Sequence, residues 1–121
     1  MKHFTELLVW QKAHRLFLDL AKDVASLPKT PVNRILTDQI LRSSSSISDN
    51  ISEGFSSLST REYIHYLGIS RKSVSETENH LYQFRDLSLM PVSVVEERLR
   101  QIIEVNRMLM GLIKSLRKGT K

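Results

Sequence analysis

Apolar residues recur along almost the whole chain at steps of three and four. Trp10, Ala13, Phe17, Leu20, Val24 and Leu27 form one such series. Leu36, Ile40, Ile47 and Ile51 form a second, and Leu67, Ser70, Val74, Thr77, Leu81 and Phe84 a third. The fourth runs through Val95, Leu99, Ile102, Asn106, Leu109, Ile113 and Leu116. Steps of three and four place side chains on one stripe of an α-helix. Sustained over many turns, this spacing gives the shallow crossing angle of a helical bundle. Nothing in the chain alternates with the period of two that marks a strand.

The breaks between the series carry start and stop chemistry. Pro28 ends the first helix. Thr30-Pro31 opens the second, with Thr30 as N-cap and Pro31 at the first helical position, where a missing N–H is harmless. Gly54 is placed to close that helix in a left-handed conformation. Ser59-Thr60-Arg61-Glu62 and Ser93-Val94-Val95-Glu96 read as capping boxes for the third and fourth helices, with Pro91 between them. The expected helices are 5–27, 31–53, 60–88 and 93–117. Short connections force sequential neighbours to lie antiparallel. The expected fold is all-α: one domain over residues 1–121, an antiparallel up-down-up-down four-helix bundle. The run Ser43-Ser44-Ser45-Ser46 interrupts the second stripe in composition but not in period. It reads either as a small-residue face that admits a close neighbour or as a break in the helix.

Composition narrows the function. The 121 residues are 40% hydrophobic and include no cysteine, so disulfides and thiolate metal sites are excluded. No apolar stretch approaches the ~20 residues that span a bilayer, and Met1–Glu6 carries no signal-peptide core. A soluble, cytoplasmic protein without a membrane is the expectation. The formal net charge is +5, and residues 91–121 alone carry seven basic against three acidic residues. That asymmetry fits an anionic partner, or else a solubilising face with a basic tail.

Candidate chemistry is sparse. His3, His14, His65 and His80 stand singly, and the glycines at 54, 68, 111 and 119 form no phosphate loop. No His/Asp arrangement marks a serine as nucleophile. No catalytic residue, metal site or cofactor is expected. Arg42, Ser46, Asn50 and Glu53 share one helix face, as do Ser73, Glu76, Asn79 and His80 on the antiparallel neighbour. If residues whose numbers sum to about 114 lie side by side, an Arg42–Glu76 salt bridge follows. This polar network fixes register if fully satisfied; the alternative is a binding pocket or proton-transfer site. On the last helix Arg98, Arg100, Arg107, Lys114, Arg117 and Lys118 lie off the apolar stripe. Arg100, Arg107, Lys114 and Lys121 step by seven into one basic line. Such lines contact phosphates without reading sequence, and the lack of interleaved aromatic residues gives base stacking no support.

Trp10-Gln11-Lys12-Ala13, Gln39, the run Arg42–Ser45 with Ile47, Asn50-Ile51 and Glu53-Gly54, and Ser73 with Glu76–Glu78 resemble the 23S rRNA intervening-sequence protein family. The resemblance covers about residues 4–117, and the Arg-Ser-Ser-x-Ser-Ile-x-x-Asn-Ile-x-Glu-Gly run is its most specific part. It implies a small bacterial four-helix bundle, encoded within 23S rRNA gene insertions or elsewhere, without catalytic residues. It also implies a ring-shaped homopentamer. A related group, the accessory variability proteins of diversity-generating retroelements, forms pentameric barrels that bind nucleic acid and a reverse transcriptase. Ser44 departs from the pattern, standing where alanine is common.

A homo-oligomer also has physical support in the sequence. Leu7, Leu8, Val9, Leu16 and Leu18 lie outside the first stripe. Ile103, Val105, Met108, Met110 and Leu112 lie outside the last. Surplus apolar surface marks interfaces. The leading expectation is therefore a non-enzymatic oligomer binding RNA or DNA through the basic surface of the last helix. The competing one is an interaction scaffold for a protein partner such as a polymerase.

Overall fold

A computed structural model describes residues 1–119. Four long helices follow a 3₁₀ turn at Phe4–Glu6: α1 Leu8–Val24, α2 Pro31–Phe55, α3 Thr60–Asp86 and α4 Val92–Lys118. No strand occurs among the described residues. Each helix packs against two neighbours, α1 on α2, α2 on α3, α3 on α4 and α4 back on α1, with α2–α3 the most extensive seam. Contacts across the seams pair early residues of one helix with late residues of the next, so the chain runs up-down-up-down. At about 1.5 Å per residue the longer helices extend roughly 40 Å.

The core is Leu16 and Leu20 from α1, Ile40, Ile47 and Ile51 from α2, Leu67, Leu81 and Phe84 from α3, and Val95, Val105 and Leu109 from α4. The α1 stripe is rotated from its expected position. Val9 and Leu16 are buried, whereas Trp10 and Phe17 are only half-buried. Both series keep the three-four spacing and share Ala13, Leu20 and Val24, so spacing alone does not choose between them. Trp10 instead lies at the boundary, edge-on to Phe4 and stacked on the His14 ring at 4.7 Å. In α4, Val105 likewise belongs to the core and Asn106 to its edge.

Local capping explains the helix boundaries. The Glu6 carboxylate accepts from the Lys2 and His3 N–H groups, closing the 3₁₀ turn. Leu7 is then extended, so α1 begins at Leu8 rather than at residue 5. It ends at Val24, three residues short of the expected end, in turns that close on the Lys22 and Val24 carbonyls. The Thr30 hydroxyl accepts from Asn33 N, and Pro31 opens α2. The Ser59 hydroxyl accepts from Glu62 N at 3.1 Å and caps α3. Of the Ser59 box only this half is present, and the Ser93 box does not form: α4 starts directly after Pro91, so Ser93 is already inside the helix and caps nothing. Gly54 has no positive φ, and α2 runs through it to Phe55. Ser88 takes the left-handed conformation instead, at φ 55°, after α3 ends. There Leu89 N bonds the Phe84 carbonyl and Ser88 N the Arg85 carbonyl, a Schellman closure.

Candidate nucleic-acid interface

The seams decide which polar residues are committed inside the bundle and which remain available. Between α2 and α3 lies a ladder of hydroxyls. Ser43, Ser44, Ser48, Ser70, Ser73 and Thr77 are all buried. Ser70 donates to the Ile47 carbonyl, Ser73 bonds Ser46 at 2.9 Å, and Thr77 bonds Ser43 at 2.9 Å. Asn50 donates back to Ser46. The serine tract is therefore helical, and its short side chains let α3 approach. No buried side-chain nitrogen or oxygen among the described residues lacks a partner. Gly54 extends the same close contact: a Cβ there would stand 2.8 Å from the Tyr63 ring and 3.1 Å from Tyr66 Cβ.

This ladder is not the network expected from the sequence. Ser46, Asn50 and Ser73 belong to it, but Arg42, Glu53 and Glu76 are exposed, and no Arg42–Glu76 ion pair forms. The α2–α3 connection puts Ser43 opposite Thr77 and Ser46 opposite Ser73, several residues beyond the assumed register. Arg42 and Glu76 are level with each other in that register, but each precedes a buried contact residue by one position and so faces solvent, while the small side chains meet. Ser43, Ser70 and Thr77 are the cross-seam members missed; their signal was their place on or beside the apolar stripe.

The α1–α4 seam claims one of the expected phosphate contacts. Arg98 makes a two-pronged bond to Asp23, at 2.6 and 3.0 Å. Its side chain is only 16% exposed and that of Asp23 13%. The Asp23 hydrogen bond raises the Arg98 pKa further, against a burial that lowers it. Asp19 accepts from Gln101 and from Arg15. Burial alone would raise its pKa, but those bonds hold it below the ordinary carboxylate value. Arg98 is thus a bundle residue and not a surface cation. The sequence could not show this, because Asp19 and Asp23 lie 75 or more positions away.

Arg100 is exposed but paired with Glu97 at 2.6 Å on its own helix. Beyond Glu104, α4 carries no acidic residue through 119. Arg107, Lys114, Arg117 and Lys118 are exposed there. Lys121, the last member of the seven-residue line, lies outside the described residues. Arg71 joins these cations from α3, an addition that α4 spacing alone could not reveal. A groove of about 520 Å³ separates Arg71 from Lys114, Arg117 and Lys118, with apolar lining from Met110, Gly111 and Ile113. No carboxylate among the described residues lines it. Clustered cations without nearby acids attract phosphate oxygens and release the counterions around them.

Among the described residues no group of three His, Asp or Glu could hold a metal ion. No helix is long and apolar enough to cross a membrane.

Comparison with known proteins gives the chain a relationship. A family model described as 23S rRNA-intervening sequence protein matches residues 5–111. The fold is similar to the crystal structure of a protein of unknown function from the S23 ribosomal protein family of Bacteroides thetaiotaomicron VPI-5482. The two are 26% identical, with a TM-score of 0.82 over 88% of this chain and 96% of that one. No curated protein matches. The family match spans most of the chain and agrees with the four-helix architecture: the protein belongs to the 23S rRNA-intervening sequence protein family.

Proposed function

We propose that this protein is a non-enzymatic nucleic-acid-binding protein that grips RNA phosphates through the cations near the end of α4 together with Arg71. The observation that supports this most is the groove, where Arg71, Lys114 and Lys118 converge from two helices with no carboxylate among the described lining residues. Arg107, one turn earlier on α4, extends the same surface. A non-enzymatic role is supported by the hydroxyl ladder. Ser70, Ser73 and Thr77 bond carbonyls and other hydroxyls, with no imidazole or carboxylate placed to activate them.

The protein acts as a homo-oligomer in this reading, a homopentamer by its family resemblance, in a cytoplasmic setting. Repetition of one weak basic surface around an assembly raises avidity without new contacts. Leu8 and Ile103, each more than half exposed on α1 and α4, are the kind of surface that subunit contacts cover.

About four phosphate contacts per subunit give a log–log salt slope near −3 to −4 on duplex RNA, so affinity falls roughly a hundredfold between about 50 and 200 mM salt. Filter binding or fluorescence anisotropy with a structured RNA measures it. Undetectable binding at about 50 mM salt would end the proposal.

Val32 and Ile35, more than half exposed at the start of α2, favour a second reading. Here the assembly is a scaffold that docks a protein partner by apolar contact. Pull-down from nuclease-treated extract separates the two: a retained protein partner favours the scaffold, an empty bait the RNA-binding role.

A further inference from the structure

The α3–α4 groove is more than a row of charges. Its 520 Å³ lie in the range of sites that hold small molecules, and its lining joins apolar surface to cations. Duplex phosphates need only the cations; they leave the half-exposed Met110 side chain uncovered. Gly111 adds an independent observation. It stands in the interior of α4, where glycine weakens a helix, yet a Cβ there would meet nothing within 4 Å. Packing within the subunit therefore does not require it. Its missing side chain keeps one wall of the groove open.

We propose that the groove receives one unpaired nucleotide, its base against Met110, Gly111 and Ile113 and its flanking phosphates on Arg71, Lys114 and Lys118. This rests on the RNA-binding reading and narrows its substrate to RNA with an extruded or looped-out base. No aromatic ring lines the groove. The base is held by aliphatic contact and by the flat Arg71 guanidinium, which stacks on bases of any identity. Recognition is therefore of an unpaired position and not of a sequence.

The test uses the full chain and two RNA hairpins of equal length and charge, one fully paired and one carrying a single-nucleotide bulge. The unmodified protein is expected to bind the bulged hairpin about tenfold tighter, the effect of taking roughly 55 Å² of apolar surface out of water. Gly111→Leu, which fills the groove from an exposed position, should bring the two affinities together and leave the salt slope unchanged. Lys114→Gln should weaken both RNAs alike and reduce the slope by about one. Circular dichroism and assembly mass show that each variant still folds. Equal affinity for both hairpins, or a preference that survives Gly111→Leu, overturns this inference and leaves the phosphate-binding surface standing. Absence of binding to either hairpin at about 50 mM salt overturns both. Binding of an acidic amphipathic peptide in place of RNA does the same.

Discussion

At the residue scale, small side chains set the α2–α3 seam. Gly54→Ala is expected to destabilise by about 1–3 kcal/mol. The new Cβ would meet the Tyr63 ring at 2.8 Å and the Tyr63 carbonyl at 3.2 Å, and backbone cannot swing aside. Ser44→Ala should be nearly neutral or mildly stabilising. The Ser44 hydroxyl bonds only carbonyls of its own helix, those of Ile40 and Leu41, and alanine is the better helix former. Thr77→Val keeps the shape but removes the bonds to Ser43 and to the Ser73 carbonyl; Ser43 still donates to the Ile40 carbonyl, so a loss of only about 0.5–1.5 kcal/mol is expected. Urea midpoints at unchanged m-value measure all three. The burial of the serine tract was legible in the sequence, since Ile40, Ile47 and Ile51 carry the helical period straight through it. The partners were not. Arg42 and Glu76 lie at nearly the same level of the bundle, yet each stands one position before a buried contact residue, Ser43 or Thr77, and turns to solvent. Spacing along one helix does not fix its offset against the next.

At the scale of elements, legibility divides by distance along the chain. The Thr30 and Ser59 caps were readable because donor and acceptor lie three residues apart. The Ser93 cap failed for an equally local reason: Pro91 lets α4 begin at Val92. Ser88 was unreadable as a helix stop, because its left-handed conformation is one that glycine more often supplies. Ser88→Gly should therefore stabilise, by up to about 1 kcal/mol, seen as a higher urea midpoint. The α1–α4 seam was hidden altogether, its charges being remote in sequence. Arg98→Ala leaves Asp23 without its partner in a site only 13% exposed, and about 2 kcal/mol of stability should go with it. Asp19 makes the same seam sensitive to acid. Its folded pKa lies below the ordinary value, so its contribution is complete above the unfolded pKa and fades as pH falls through the folded one. The urea midpoint should drop more steeply below about pH 4 in the unmodified protein than in Asp19→Asn, which has no such proton to gain.

At the scale of the whole molecule, four short-linked amphipathic helices admit few arrangements, which is why the up-down-up-down order could be read from period and breaks. The surface is less constrained, and there the sequence reading needed revision. Six α4 cations looked equivalent by spacing. The folded chain commits Arg98 to Asp23, pairs Arg100 with Glu97, and gathers the cations near the end of α4 around Arg71. Exposed Ile103, at 56% exposure, belongs to an interface between copies in this account. Light scattering should give a multiple of the 14.0 kDa chain mass, and Ile103→Glu should lower it without loss of helicity. A monomeric unmodified chain would remove the assembly from the account. The central claim concerns the basic groove. Its most direct test is the salt slope of RNA binding for the unmodified chain and for Arg71→Gln/Lys114→Gln/Lys118→Gln. The triple variant is expected to lose most of the affinity at about 50 mM salt and to flatten the slope by about three. An unchanged affinity and slope in that variant would place RNA elsewhere on the bundle and contradict it.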